Sequence, residues 1–156
     1  MGLIPGRLFW IAMETRWWAE AYANRKGMGA HLAGMCAIAS FELWKRLKAA
    51  GIKAEVVHCD GHVLVRAFLS RSWLIDLTAT QFRDDLPHTW FPQSLGHAQR
   101  HIPGFEYAYQ RLCSARSLRG IENLFSDWYT EEIHPDLAAA RAERPKWPAR
   151  ERKRTH

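Results

Sequence analysis

Cysteine is scarce in this chain of 156 residues, and the three that are present, Cys36, Cys59 and Cys113, are irregularly spaced. An odd number without a repeated spacing is not typical of a disulfide framework, so the small disulfide-stapled class of secreted domain is excluded. Eight Trp and seven Phe are instead available to build an apolar core. The simplest interpretation is a chain whose thiols stay reduced.

Long hydrophobic runs are also missing. A membrane-spanning helix needs about 20 mostly apolar residues, whereas the apolar patch over residues 8–11 is cut short by Glu14 and Arg16. No secretory hydrophobic segment with a small-residue cleavage site follows it. We therefore expect a cytoplasmic protein that does not associate with membranes, although an exported effector without a leader has the same pattern.

Excess charge of one sign is confined to the C-terminal end. Residues 138–156 contain seven basic and two acidic side chains, a net charge of +5, so the rest of the chain carries only +1 of the total of +6. This contrast predicts one domain over residues 1–137 and a flexible basic tail over residues 138–156. The tail has no aromatic interleaving or groove-reading motif, so nucleic-acid binding through it is an alternative that we do not favour.

Apolar residues at three- and four-residue spacing predict four helices, two in the first third of the chain and two toward its C-terminal end. These helices cover residues 7–25, 36–50, 117–132 and 137–142. The second begins at Met35 or Cys36 and stops before Gly51, since glycine commonly follows the last residue of a helix.

After Gly51 the apolar pattern changes to a period of two, which predicts strands. These strands cover residues 52–59, 62–69 and 72–78. Asp60-Gly61 is a strong signal for a two-residue hairpin turn, and the prolines of residues 80–104 predict an ordered loop over the core. The predicted fold class is α+β, with the second helix packed on a small antiparallel sheet and further helices flanking it on the N- and C-terminal sides.

Cys36 occupies the predicted start of the second helix. The partial positive charge of a helix N-terminus favours the ionised thiolate. Backbone N–H groups at that end lack intrahelical acceptors and can donate to an oxyanion. Gly34, just before the helix, permits close approach of a substrate backbone. We therefore predict that Cys36 is a thiol nucleophile.

His62 and Asp76 lie in the strands that follow. Asp76 stands in an otherwise apolar run, where burying a carboxylate is unfavourable unless it has a partner. An imidazole N–H is the obvious partner. Cys36, His62 and Asp76 then supply nucleophile, base and orienting acid, the arrangement of a catalytic triad. His58 is the alternative base.

The turn after the second strand decides whether Asp76 can reach His62. A two-residue turn pairs Asp76 with Val65 and puts it on the sheet face opposite to His62. A three-residue turn or a bulge pairs Asp76 with Leu64 and makes it a diagonal neighbour of His62. The triad hypothesis therefore predicts an odd-length turn or a bulge between residues 69 and 73.

Four short motifs follow one another between residues 34 and 78. They are Gly34-Met35-Cys36, Gly51-Ile52-Lys53-Ala54, His62-Val63-Leu64-Val65 and Asp76-Leu77-Thr78. In this order, and on these types of element, they resemble the transglutaminase-like core of the papain-like cysteine hydrolase superfamily. The resemblance implies thiol chemistry on glutamine amides or peptide bonds of a protein or peptide substrate, with Cys36, His62 and Asp76 in the three roles and no cofactor.

Two alternatives to this function stay open. One is acyl transfer of the arylamine type from a thioester donor, which uses a similar triad. The other is a non-catalytic binding protein on the same scaffold, with the basic tail contacting nucleic acid or an acidic partner.

The remaining polar residues near the triad have weaker signals. His58, Cys59, Asp60 and His62 suggest a metal site, but adjacent strand residues point to opposite faces, so we predict none. Gln81, with Phe82, is a candidate for shaping the cleft. His31 and Trp90 are candidates for its oxyanion side.

Overall fold

An α+β architecture is formed by the residues that this computed structural model describes, which are 3–27, 32, 35–59, 62–101 and 112–121. In chain order the elements are α1 (Gly6–Arg25), α2 (Cys36–Ala49), β1 (Lys53–Cys59), β2 (His62–Phe68), β3 (Ser72–Ile75), a 3₁₀ turn (Ala79–Gln81), α3 (Leu95–His101) and β4 (Leu112–Ala115). The predicted fold class is thus confirmed at this level. The predicted helix over 137–142 and the basic tail lie outside the described residues.

Helices α1 and α2 agree with the predicted helices to within one residue at each end. Their apolar stripes face the interior, where side chains such as Leu8 and Leu43 are fully buried. Gly51 follows α2 with a φ of 79°, a left-handed conformation that glycine adopts without a steric penalty. In the part of the chain that is described, no helix combines the length and apolar character needed to cross a membrane.

The sheet is antiparallel, with the strand order β3-β2-β1-β4. Cys59 pairs with His62 at the end of the β1–β2 hairpin, which is the register predicted from the Asp60-Gly61 signal, although these two residues lie outside the described ones. Strand β4 completes the edge beside β1 and was not predicted, because four residues are too few to establish a period.

The third strand is shorter than predicted and ends at Ile75. Asp76 forms an isolated bridge with Trp90, and the Oδ1 atom of Asp76 accepts a hydrogen bond from the Thr78 backbone N–H at 3.0 Å. Such a local bond between a side chain and the backbone competes with the ladder of a strand. The chain therefore turns away from the sheet immediately after Asp76.

The loop predicted over residues 80–104 is wrong for residues 95–101, which form α3. Ser94 precedes this helix, and its Oγ accepts a hydrogen bond from the His97 backbone N–H at 3.0 Å. This is the N-cap arrangement that stabilises a helix start. Of the predicted helix over 117–132, the described residues 118–121 are helical and the remainder lies outside the described part.

Both faces of the sheet are covered. Helix α2 packs on one face, against side chains such as Val56 and Val65, and α1 packs against α2. Residues 79–98 cover the other face and pack on Val57 and Leu64. Side chains alternate along a strand, so His62 shares the face of Leu64 and lies beneath this second cover.

Candidate active site

The turn between β2 and β3 contains three residues. Phe68 pairs with Ser72, and the same register sets Asp76 opposite Leu64. The predicted odd-length turn is therefore confirmed. Because side chains alternate along β2, Asp76 stands on the same sheet face as His62, one diagonal step away.

His62 and Asp76 form a buried hydrogen-bonded pair. The Nε2 atom of His62 lies 2.8 Å from Oδ2 of Asp76, and both residues are fully buried. Thr78 donates to the second carboxylate oxygen at 3.0 Å. The Asp76 backbone bonds to that of Trp90 in both directions, at 2.8 and 3.1 Å. The carboxylate is thus fixed at its side chain and at its main chain.

The surroundings of His62 hold its imidazole in the charged form. Burial by itself lowers the pKa, because it disfavours the imidazolium. Attraction to the Asp76 carboxylate and the hydrogen bond with it act against burial, and the nearby Cys36 acts in the same direction as Asp76. Together these interactions outweigh burial and raise the pKa of His62 from 6.5 to about 10. The pKa of His62 therefore depends on Cys36 as well as on Asp76.

Cys36 is the first residue of α2 and is 5% exposed. One turn further along the helix, Ser40 donates its Oγ–H to the Val63 carbonyl at 3.1 Å. Val63 is the neighbour of His62 in β2, so this bond holds the start of α2 against the strand that carries the base. Sequence reasoning missed Ser40, because a serine inside a helix has no distinctive signal.

Replacing Ser40 with alanine should lower the free energy of unfolding by about 1–2 kcal/mol, because the buried Val63 carbonyl loses its donor. Urea denaturation measures this change. Ser70→Ala, at an exposed turn position, is the matched control and should change stability by less than about 0.5 kcal/mol. Equal stability of the two variants would contradict the role given to Ser40.

A pocket of about 420 Å³ is lined by residues 80–85, among them Phe82. The ring of Phe82 meets the His62 ring edge to face, with 5.1 Å between the ring centroids, and is 40% exposed. Arg83 and Asp85 pair with each other through two hydrogen bonds of 2.9 and 2.6 Å. The pocket therefore offers an aromatic wall next to His62 and a charged rim.

The other residues predicted for the cleft have different positions. Gln81 lines the pocket, and its Nε2 donates to Thr78 Oγ1 at 3.1 Å. Trp90 is buried in the apolar cluster behind Asp76. His31 and Gly34 lie outside the described residues. No group of three or more His, Cys, Asp or Glu side chains could hold a metal ion among the residues that are described.

The alternative base, His58, does not share the carboxylate. It pairs with Val63 across the β1–β2 ladder, so its side chain stands on the sheet face opposite to His62 and Asp76. The structure therefore places Asp76 beside His62 and not beside His58.

Comparisons with known protein families, with curated proteins and with solved structures find no match to this chain. A functional conclusion has to come from the contacts of Cys36, His62 and Asp76 themselves.

Proposed function

We propose that the chain is a thiol-dependent hydrolase or acyltransferase that attacks an amide carbonyl, on a glutamine side chain or a peptide bond. The buried His62–Asp76 hydrogen bond of 2.8 Å, on an imidazole that also interacts with Cys36, is the observation that carries the proposal. A transglutaminase-like, papain-like core is part of it, because Cys36 begins α2, His62 begins β2 and Asp76 directly follows β3, in that family's order.

The raised pKa of His62 supports a thiolate on Cys36 at neutral pH. A proton that moves from the thiol to the imidazole leaves an imidazolium, and Asp76 stabilises that cation. The thiolate is the nucleophilic form of cysteine. Since Nε2 is engaged by Asp76, the proton exchanged with the thiol resides on Nδ1.

Acylation forms one bond and breaks another. The thiolate sulfur bonds to the carbonyl carbon, and the negative charge moves to the carbonyl oxygen. Backbone N–H groups at the first turn of α2 can stabilise such an oxyanion, since the first donors of a helix have no intrahelical acceptor. The oxyanion then collapses, the C–N bond breaks, and the His62 imidazolium protonates the departing amine.

Deacylation returns the enzyme to its starting state. The neutral imidazole takes a proton from water or from an incoming amine, which attacks the thioester carbon. The C–S bond breaks, and the thiolate is restored beside the imidazolium. Water gives hydrolysis or deamidation, whereas an amine gives transfer or cross-linking.

The nucleophile can be tested by alkylation and by trapping. At pH 6, iodoacetamide should modify Cys36 at least about tenfold faster than Cys59 or Cys113, because only an activated thiol is ionised there. Intact mass after exposure to p-nitrophenyl acetate or to a short glutamine peptide should show a thioester adduct in the wild type.

The chain supplies its own controls. Cys59→Ser and Cys113→Ser should keep the fast alkylation and the adduct, and Cys36→Ala should lose both. Equal alkylation rates for the three cysteines would contradict the proposal. An adduct that survives in Cys36→Ala would assign the chemistry to another group.

A further inference from the structure

Arg16 is a charged side chain in the interior of the protein. It lies on α1 and is only 1% exposed. Taking a guanidinium out of water is strongly unfavourable unless its donors are satisfied. The sequence indicates this burial through one signal, which is that Arg16 shares the buried stripe of α1 with Ala12 and Ala19.

The guanidinium donates to four oxygen atoms. Its Nε binds the Glu20 carboxylate at 2.7 Å. Its Nη1 reaches the Leu77 carbonyl at 2.8 Å, Thr80 Oγ1 at 3.1 Å and the His88 carbonyl at 3.3 Å. A planar fork can serve several acceptors in fixed directions, which a lysine ammonium cannot reproduce.

The three acceptors outside α1 belong to the two segments that hold Asp76. Leu77 directly follows Asp76 in the chain. His88 precedes Trp90 by two residues, and Trp90 bonds to the Asp76 backbone in both directions. Arg16 therefore ties together the chain that leaves Asp76 and the chain that pairs with it.

A second contact from the same face of α1 reaches the same loop. Thr89 lies between His88 and Trp90, and its hydroxyl contacts the Met13 sulfur at 3.0 Å. Met13 precedes Arg16 by three residues, so both side chains lie on one side of the helix. Helix α1 thus contacts the segment that pairs with Asp76 at two points, His88 and Thr89.

We infer that Arg16 is a positioning residue, which fixes the Asp76 carboxylate at the place from which it bonds to Nε2 of His62. Arg16 touches neither His62 nor a reacting atom in any described contact, and it acts through the backbone on both sides of Asp76. The contribution of Arg16 to catalysis rests on the proposed function, whereas its effect on the titration of His62 is independent of that function.

The test measures His62 directly. In Arg16→Met, the titration midpoint of the His62 ring, followed by ¹H–¹⁵N NMR, should fall by about one pH unit, because a displaced carboxylate compensates burial less well. Alkylation of Cys36 by iodoacetamide at pH 6 should slow by about tenfold for the same reason. Arg16→Lys keeps the charge without the fork, so its midpoint should lie between those of the wild type and Arg16→Met.

A control separates positioning from a general loss of stability. Trp44→Phe removes a buried hydrogen bond to the Ala54 carbonyl, toward the other end of α2 from Cys36. It should lower the thermal midpoint and leave the His62 titration unchanged. If Trp44→Phe shifts the His62 midpoint as far as Arg16→Met does, Arg16 has no specific role.

The outcomes also separate this inference from the proposed function. An unchanged His62 midpoint in Arg16→Met, or in Arg16→Lys should the first variant not fold, overturns the positioning role. If wild-type Cys36 is no more reactive than Cys59 and Cys113, the proposed function fails, and the His62 titration still decides what Arg16 does.

Discussion

Replacing Asp76 with asparagine should slow acylation of Cys36 by about 100- to 10,000-fold, the range expected when acid–base catalysis is lost. Asparagine has nearly the same shape but no charge. The attraction of the carboxylate for the imidazolium, the largest of the interactions that raise the pKa of His62, disappears, so burial then lowers the pKa of the imidazole. At neutral pH the imidazole becomes neutral, and the thiolate loses its cation.

The rate of thioester formation, followed by intact mass, measures this effect. The matched control is Glu14→Gln, which removes an exposed carboxylate of α1. Glu14→Gln should leave the rate within about twofold of the wild type, since an exposed charge is screened by solvent and salt. If Asp76→Asn acylates as fast as Glu14→Gln, then Asp76 does not support the base, whatever its distance from His62.

The parts of this site that local patterns determine could be predicted from the sequence. The start of α2 at Met35 or Cys36 and its end before Gly51 followed from the helical stripe and from the glycine stop signal. The register of β2 with β3 followed from the requirement that Asp76 share a face with His62, because a slip of one residue reverses every side chain of a strand. These features depend on neighbours within a few residues, so their signals lie in short windows.

The parts that depend on distant neighbours could not be predicted. Strand β4 forms only by pairing with β1, more than fifty residues earlier in the chain. The bridge from Asp76 to Trp90 and the contacts of Arg16 with residues 77–88 likewise join segments whose sequences carry no shared pattern. Tertiary packing determines these contacts. Helix α3 could not be predicted either, because the Ser94 cap stabilises a helix in a segment whose prolines predict a loop.

The raised pKa of His62 also makes the stability of the fold depend on pH. The folded protein holds a proton on His62 up to about pH 10, whereas the unfolded chain releases it near pH 6.5. Between these values His62 binds a proton in the folded state that it has released in the unfolded state, so the contribution of His62 to the free energy of unfolding falls as the pH rises. The full contribution is present below pH 6.5 and is lost by about pH 10, with a size on the order of a few kcal/mol.

Urea denaturation at pH 6 and pH 9 tests this dependence through the difference between variants, all of which carry Cys36→Ala so that ionisation of the thiol does not offset the proton on His62. His62→Gln should lose most of the decline seen with Cys36→Ala alone, because the group that carries it is gone. His88→Gln should keep that decline, since the ring of His88 is 63% exposed and the other titrating groups are common to these proteins. Asp76→Asn should flatten the profile as well, because the carboxylate is the main source of the raised pKa. Parallel profiles with and without His62→Gln would mean that His62 is neutral in the folded protein, and a thiolate on Cys36 would then lack its stabilising cation.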